Sequence, residues 1–184
     1  MKSEIKRGVE IAESYRNNHD GEIPVLVVAD LPDGKEQIIV GTFRKKHEVQ
    51  DQKMFCSVLR MMFALHGVKS YQLLVKPVFN YTAAQMTKNV LAIVSIGNSD
   101  SDIAEFFEIA DEELISYKEE MPVEGMFTLL LPSEVERENI ISVSAKTKKS
   151  INDYIAACTY TLPVESSYVA GQTGLEALLQ SMSN

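Results

Sequence analysis

Two carboxylates and a lysine stand at a spacing that could do chemistry. Pro32-Asp33 is followed eighteen residues on by Asp51-Gln52-Lys53. In a metal-dependent hydrolase or nuclease such a pair of acids holds a divalent cation, and the lysine positions water or stabilises developing charge. The pattern is a degenerate restriction-type motif, and its context points elsewhere. Asp33 falls in a turn. Asp51 falls at the mouth of a helix, where the helix dipole favours an acid without any catalysis. Hydrolysis through Asp33, Asp51 and Lys53 is therefore the second reading of this chain.

The remaining chemical patterns fail on residue type. Asn98-x-Asp100-x-Asp102 imitates the opening of a calcium loop, but Ile103 stands where that loop needs Gly and Ile109 where it needs Glu. His19, His47 and His66 have no metal-ligand spacing to one another or to a cysteine. Cys56 and Cys158 have apolar flanks and no basic neighbour in sequence, which reads as two reduced, buried thiols. Gly171-Gln172-Thr173-Gly174 lacks the lysine and hydroxyl residue that end a phosphate loop, and no apolar strand precedes it. No metal or cofactor is expected, and no motif identifies a family.

Charge is the informative property. The net charge is −8, but residues 97–140 carry thirteen acids against Lys118 and Arg137, a net of −11, so the rest of the chain sums to +3. Charge runs are most often solvated faces; a patch of this strength can also steer and orient a basic partner. Phe106-Phe107 inside the acids is the kind of aromatic pair that anchors an interface, and is equally suited to a core. Two basic clusters, Arg44-Lys45-Lys46-His47 and Lys146-Thr147-Lys148-Lys149, could meet a phosphate backbone together. They lack the interleaved aromatics of a single-strand binder, and the net charge opposes nucleic acid at long range.

The elements that would position these groups follow from periodicity and turn chemistry. Residues 3–18 place Ile5, Val9, Ala12 and Tyr15 on one helical face. Residues 23–30 and 37–43 read as strands joined by Leu31-Pro32-Asp33-Gly34, a hairpin. Residues 48–66 carry a broad apolar stripe, Phe55, Val58, Leu59, Met62 and Phe63, ended by Gly67, and predict the strongest helix. Residues 71–76 alternate as a strand that ends or lies at an edge by Pro77. Val90 to Ile96 is almost wholly apolar and predicts a central strand buried on both sides. Beyond it, Asp102 and Glu105 stand at cap spacing, Phe106, Phe107 and Ile109 fit either strand or helix, and 111–120 fits a helix. Residues 126–131 fit a strand and 140–143 a weaker one. Cap spacings at Thr82, Ser150 and Thr173 predict a short turn and helices over about 151–160 and 174–182.

The composition, 45% hydrophobic and 24% charged with two cysteines, excludes collagen, a disulfide scaffold and a mainly disordered chain. The expected architecture is a single α+β domain over 1–184. Its sheet is mixed or mainly antiparallel, with an N-terminal helix, a β-hairpin and a central amphipathic helix packed on it. The start is not a signal peptide, and the longest apolar stretch is far short of a membrane span, so the expectation is a soluble cytoplasmic protein without a membrane partner. The expected function is a non-catalytic intracellular protein-binding module: an adaptor, inhibitor or regulator. The residues expected to carry binding are Asp100, Asp102, Glu105, Glu108, Asp111, Glu112 and Glu113, facing a basic surface on another protein. Opposite patches on one chain also allow a homo-oligomer. Nucleic-acid binding through the basic loops ranks third.

Overall fold

The computed structural model describes residues 3–76, 89–97, 102–110, 113–117 and 125–163. Along the chain these form α1 (Ser3–Asn18), β1 (Val25–Asp30), β2 (Glu36–Gly41), α2 (Glu48–His66), β3 (Tyr71–Val75) and β4 (Val90–Ile96). Then come β5 (Ile103–Ile109), β6 (Leu114–Tyr117), a 3-10 turn (Met126–Leu129), α3 (Glu134–Ile141), α4 (Ala145–Cys158) and the two-residue β7 (Thr159–Tyr160). The strands make one sheet in the order β6-β5-β4-β3-β1-β2-β7, and every neighbouring pair is antiparallel. The α+β architecture expected from the sequence is the one observed.

Strand β4 dictates the layers. All seven of its residues are buried. Side chains alternate across a strand, so an apolar strand of this kind needs cover on both faces. Val90, Ala92, Val94 and Ile96 join Phe55, Leu59, Phe63, Tyr71 and Leu73 in the core beneath α2. Leu91 and Ile93 join Leu26, Val28, Leu74 and Phe107 beneath α1. Among the described residues helices therefore lie on both sides of the sheet: α1 on one, and α2 with α3 and α4 on the other.

The hairpin forms where turn chemistry places it. Leu31 N donates to Lys35 O at 2.9 Å and Gly34 N to Leu31 O at 2.9 Å, and Gly34 takes a φ of 80° that other residues resist. Helix α2 spans the expected residues and ends on Gly67 at φ 69°, with Val68 N donating to Phe63 O at 3.0 Å. Arg137 of α3 completes that end, donating to Phe63 O and, at 2.6 Å, to Val68 O. A guanidinium here meets the negative end of the α2 dipole and adds a donor to carbonyls at its C-terminal end.

Four expectations fail, each for a physical reason. Residues 126–131 are not a strand. Tyr71 Oη donates to Phe127 O at 2.8 Å and accepts from Leu130 N, so a buried side chain takes up backbone groups that a ladder would otherwise bind. Residues 140–143 are not a strand either, because Ser133 and Glu136 make a reciprocal capping box that opens α3. The helix expected over 151–160 begins at Ala145, capped by Ser144, whose Oγ accepts from Thr147 N. The helix expected over 111–120 is contradicted at its centre. Ala110 N bonds Glu113 O at 3.1 Å, turning the chain back so that Leu114–Tyr117 pairs with β5. The turn at Thr82 and the helix over 174–182 lie outside the described residues.

Helix α1 approaches the sheet through Gly8, whose added Cβ would sit 2.6 Å from Ile93 Cγ2. Ile93 is fully buried, and its β-branched side chain cannot swing away. Helix propensity alone favours Ala over Gly by about 1 kcal/mol, whereas overpacking a core costs about 1–3 kcal/mol. Gly8→Ala is therefore expected to lower the urea midpoint. A raised midpoint would show that α1 does not touch β4 at this point.

Candidate functional site

The described acids of the sequence-predicted surface fall on or beside β5 and β6, at one end of the strand order. Asp102 immediately precedes β5 and is exposed, Glu105 and Glu108 lie within β5 half-buried, and Glu113 immediately precedes β6 and is exposed. Asp100, Asp111 and Glu112 lie outside the described residues. Alternation along β5 puts Glu105 on the same face as Phe107, toward α1, and Glu108 on the same face as Phe106, toward α2. The two phenylalanines are therefore core, one in each layer. The acids line both faces of an edge instead of sharing one surface. Ile115, on β6, is an exposed apolar residue at this edge, at 47%.

A buried cation anchors the edge to the rest of the fold. Arg16, only 6% exposed, sends its guanidinium from the last turn of α1 to Ala110 O at 2.7 Å. That carbonyl opens the β5–β6 turn, so α1 holds the acidic edge in place.

The alternative catalytic residues are not brought together. Asp33 lies in the β1–β2 turn, where its carboxylate accepts from Lys35 N and pairs with Lys35 Nζ at 2.8 Å. Asp51 lies beyond the other end of β2, a strand of six residues and so roughly 20 Å long. Its carboxylate is already saturated: Arg44 donates to it from its backbone N (3.0 Å), Nε (2.9 Å) and Nη2 (2.8 Å). These bonds, the guanidinium's first, hold the Asp51 carboxyl well below the usual carboxylate range. Lys53, two residues along the helix, is exposed while Asp51 is buried. Among the described residues no group of three His, Cys, Asp or Glu side chains is placed to hold a metal ion.

The other singled-out residues have structural partners. His19 stacks on Tyr15 with ring centroids 4.0 Å apart, and His66 Nε2 meets Asn152 Oδ1 at 3.0 Å, joining α2 to α4. Burial pushes the Cys56 thiol up to about 11 and raises Cys158 as well, so neither is a thiolate at neutral pH. The basic clusters are separated. Arg44–His47 precedes α2, whereas Lys146–Lys149 opens α4, which follows α3 at the far end of α2.

No protein-family model, curated protein or solved structure matches this chain. No helix among the described residues is long and apolar enough to cross a membrane.

A linkage that the sequence reading missed ties α2 to α3. Arg60 donates to Glu136 at 2.5 and 2.6 Å and also to Leu129 O. The Ser133-x-x-Glu136 cap spacing was the available signal for Glu136; nothing local marks Arg60 as its partner. Hydrogen bonds from Ser133 N and from Arg60 bring the Glu136 carboxyl down to about 2, below its unfolded 4.5. The unfolded chain thus binds protons first as acid is added. Glu136 contributes stability above pH 4.5, and that contribution is lost as pH falls toward about 2. Glu136→Gln should melt below the wild type at neutral pH, with the gap closing as pH approaches 2. A gap independent of pH would remove the Arg60–Ser133–Glu136 linkage from the account.

Proposed function

We propose that this chain is a non-catalytic, cytoplasmic protein-binding module, an adaptor, inhibitor or regulator, whose β5–β6 edge meets a basic surface on another protein. The observation that carries this reading is the placement of charge. Glu105 and Glu108 lie on β5, Asp102 stands just before it and Glu113 just before β6, in a stretch, residues 89–117, that contains no lysine or arginine. A one-signed edge raises the local concentration of an oppositely charged partner and orients its approach. The half-buried acids of β5 sit beside a core, where their field is less screened than that of fully exposed charges. Ile115 supplies apolar area within the charged rim. The reading asks no chemistry of Asp33 or Asp51, whose carboxylates Lys35 and Arg44 already occupy.

A lysine homopeptide serves as the basic probe. Two double variants remove the same charge: Asp102→Lys/Glu113→Lys at the edge, and Glu134→Lys/Glu138→Lys on α3. Each takes the net charge from −8 to −4, because a reversal adds two units. The edge variant should bind the peptide at least about tenfold more weakly, with a shallower salt dependence, while the α3 variant binds nearly as the wild type. Equal losses in both variants would mean that only bulk charge attracts the peptide, and the edge would lose its role.

A further inference from the structure

We propose that the partner enters as an extended basic strand, which pairs with β6 and continues the sheet. The inference rests on the protein-binding reading above and gives the form of the partner. Its basis is the direction in which β6 points its backbone. In an antiparallel ladder, successive residues turn their N–H and C=O alternately toward one neighbour and the other. Ala110 N donates to Glu113 O, and the register then runs Ile109↔Leu114, Glu108↔Ile115, Phe107↔Ser116 and Phe106↔Tyr117. Ile109 N donates the other way, to Asn89 O just before β4. The odd residues of β5 therefore serve β4, and the even ones, Glu108 and Phe106, bond with Ile115 and Tyr117 of β6. Leu114 and Ser116 turn away from β5 and aim their N–H and C=O groups outward. Among the described residues β6 ends the strand order, so no described strand takes up these groups.

Within β6 the sequence Leu-Ile-Ser-Tyr carries neither a charge nor a proline, the devices that usually keep an outer strand from pairing. An open ladder binds the backbone of an incoming strand, and side chains select which strand it takes. Ile115, exposed at 47%, shares the α2 face of the sheet with its register partner Glu108, so an apolar side chain on the incoming strand can cover it. Asp102, Glu105 and Glu113 supply the charge. Glu108 is already engaged within the chain and is not required. Glu113 lies level with Ala110, eight residues beyond Asp102 along β5, roughly 26 Å. With no lysine or arginine in residues 89–117, that whole length attracts cations. A strand about eight residues long that alternates basic and apolar side chains therefore fits both the ladder and its charge.

The probe is a peptide of alternating lysine and valine, about eight residues long, and its control is the same peptide with every backbone nitrogen methylated. The two carry equal charge, but only the first has backbone N–H groups to give. The parent peptide should bind the full chain at least about tenfold more tightly than the methylated one. Ser116→Pro removes an outward N–H and leaves the bonds to β5 in place, a change that an edge strand tolerates. It should melt near the wild type and bind the parent peptide at least about fivefold more weakly, whereas Ser116→Ala should bind it as the wild type does. Equal binding of the two peptides to the wild type would overturn strand addition, and so would a folded Ser116→Pro that binds as the wild type does. Should Ser116→Pro fail to fold, the two peptides on the wild type decide alone. If both peptides bind equally and Asp102→Lys/Glu113→Lys weakens both, strand addition fails and the acidic-edge reading stands. If they bind equally and Asp102→Lys/Glu113→Lys weakens neither, both fail.

Discussion

Burial of β4 on both faces is the constraint on which the rest of the structure depends. A strand with no polar face cannot lie at the surface of the fold or face water on either side. It must have strands beside it and helices above and below. Helix α1 supplies one cover, closing to the distance that Gly8 permits over Ile93, and α2 supplies the other. The adjacent strand β5 shares this two-layer environment through Phe106 and Phe107, one for each core. The acids that alternate with them can only emerge at the margins. The charge segregation of the surface is thus a consequence of packing at the centre of the sheet.

Arginines tie the peripheral elements to this centre. Arg16 reaches the β5–β6 turn, Arg60 reaches the segment before α3 and Glu136 within it, and Arg137 closes the end of α2. In each case the guanidinium binds a backbone carbonyl at a turn or a helix end. A planar group with five donors suits this task, since it can serve a carbonyl and a second acceptor at once. Tyr71 does similar work from inside the core, holding the 3-10 turn with one hydroxyl. The elements after β6 are therefore positioned by side chains of distant residues more than by their own apolar periodicity.

That difference explains what the sequence made legible. The hairpin, α2 and β4 follow from turn residues, a helical stripe and a continuous apolar run, all local signals. Residues 126–131 have the composition of a strand, and only Tyr71, far away in sequence, decides otherwise. The acidic stretch reads as a helix because acids favour helix surfaces. The neighbouring Phe106 and Phe107 need two separate cores, which is a property of the sheet and not of any window. At the candidate site, the clustering of Asp102, Glu105, Glu108 and Glu113 was visible in sequence. Their division between two faces was not. The context of Asp33 and Asp51 already favoured a turn and a helix mouth. The saturating bonds from Arg44 add the reason Asp51 is buried.

The central claim is that sheet order converts scattered charge into a docking edge at β5–β6. Amide hydrogen exchange on the full chain, with and without the lysine peptide, reads that claim residue by residue. The account predicts slower exchange confined to residues 103–117, with α3 and α4 unchanged. Protection centred on α3, or spread evenly over the chain, would contradict it.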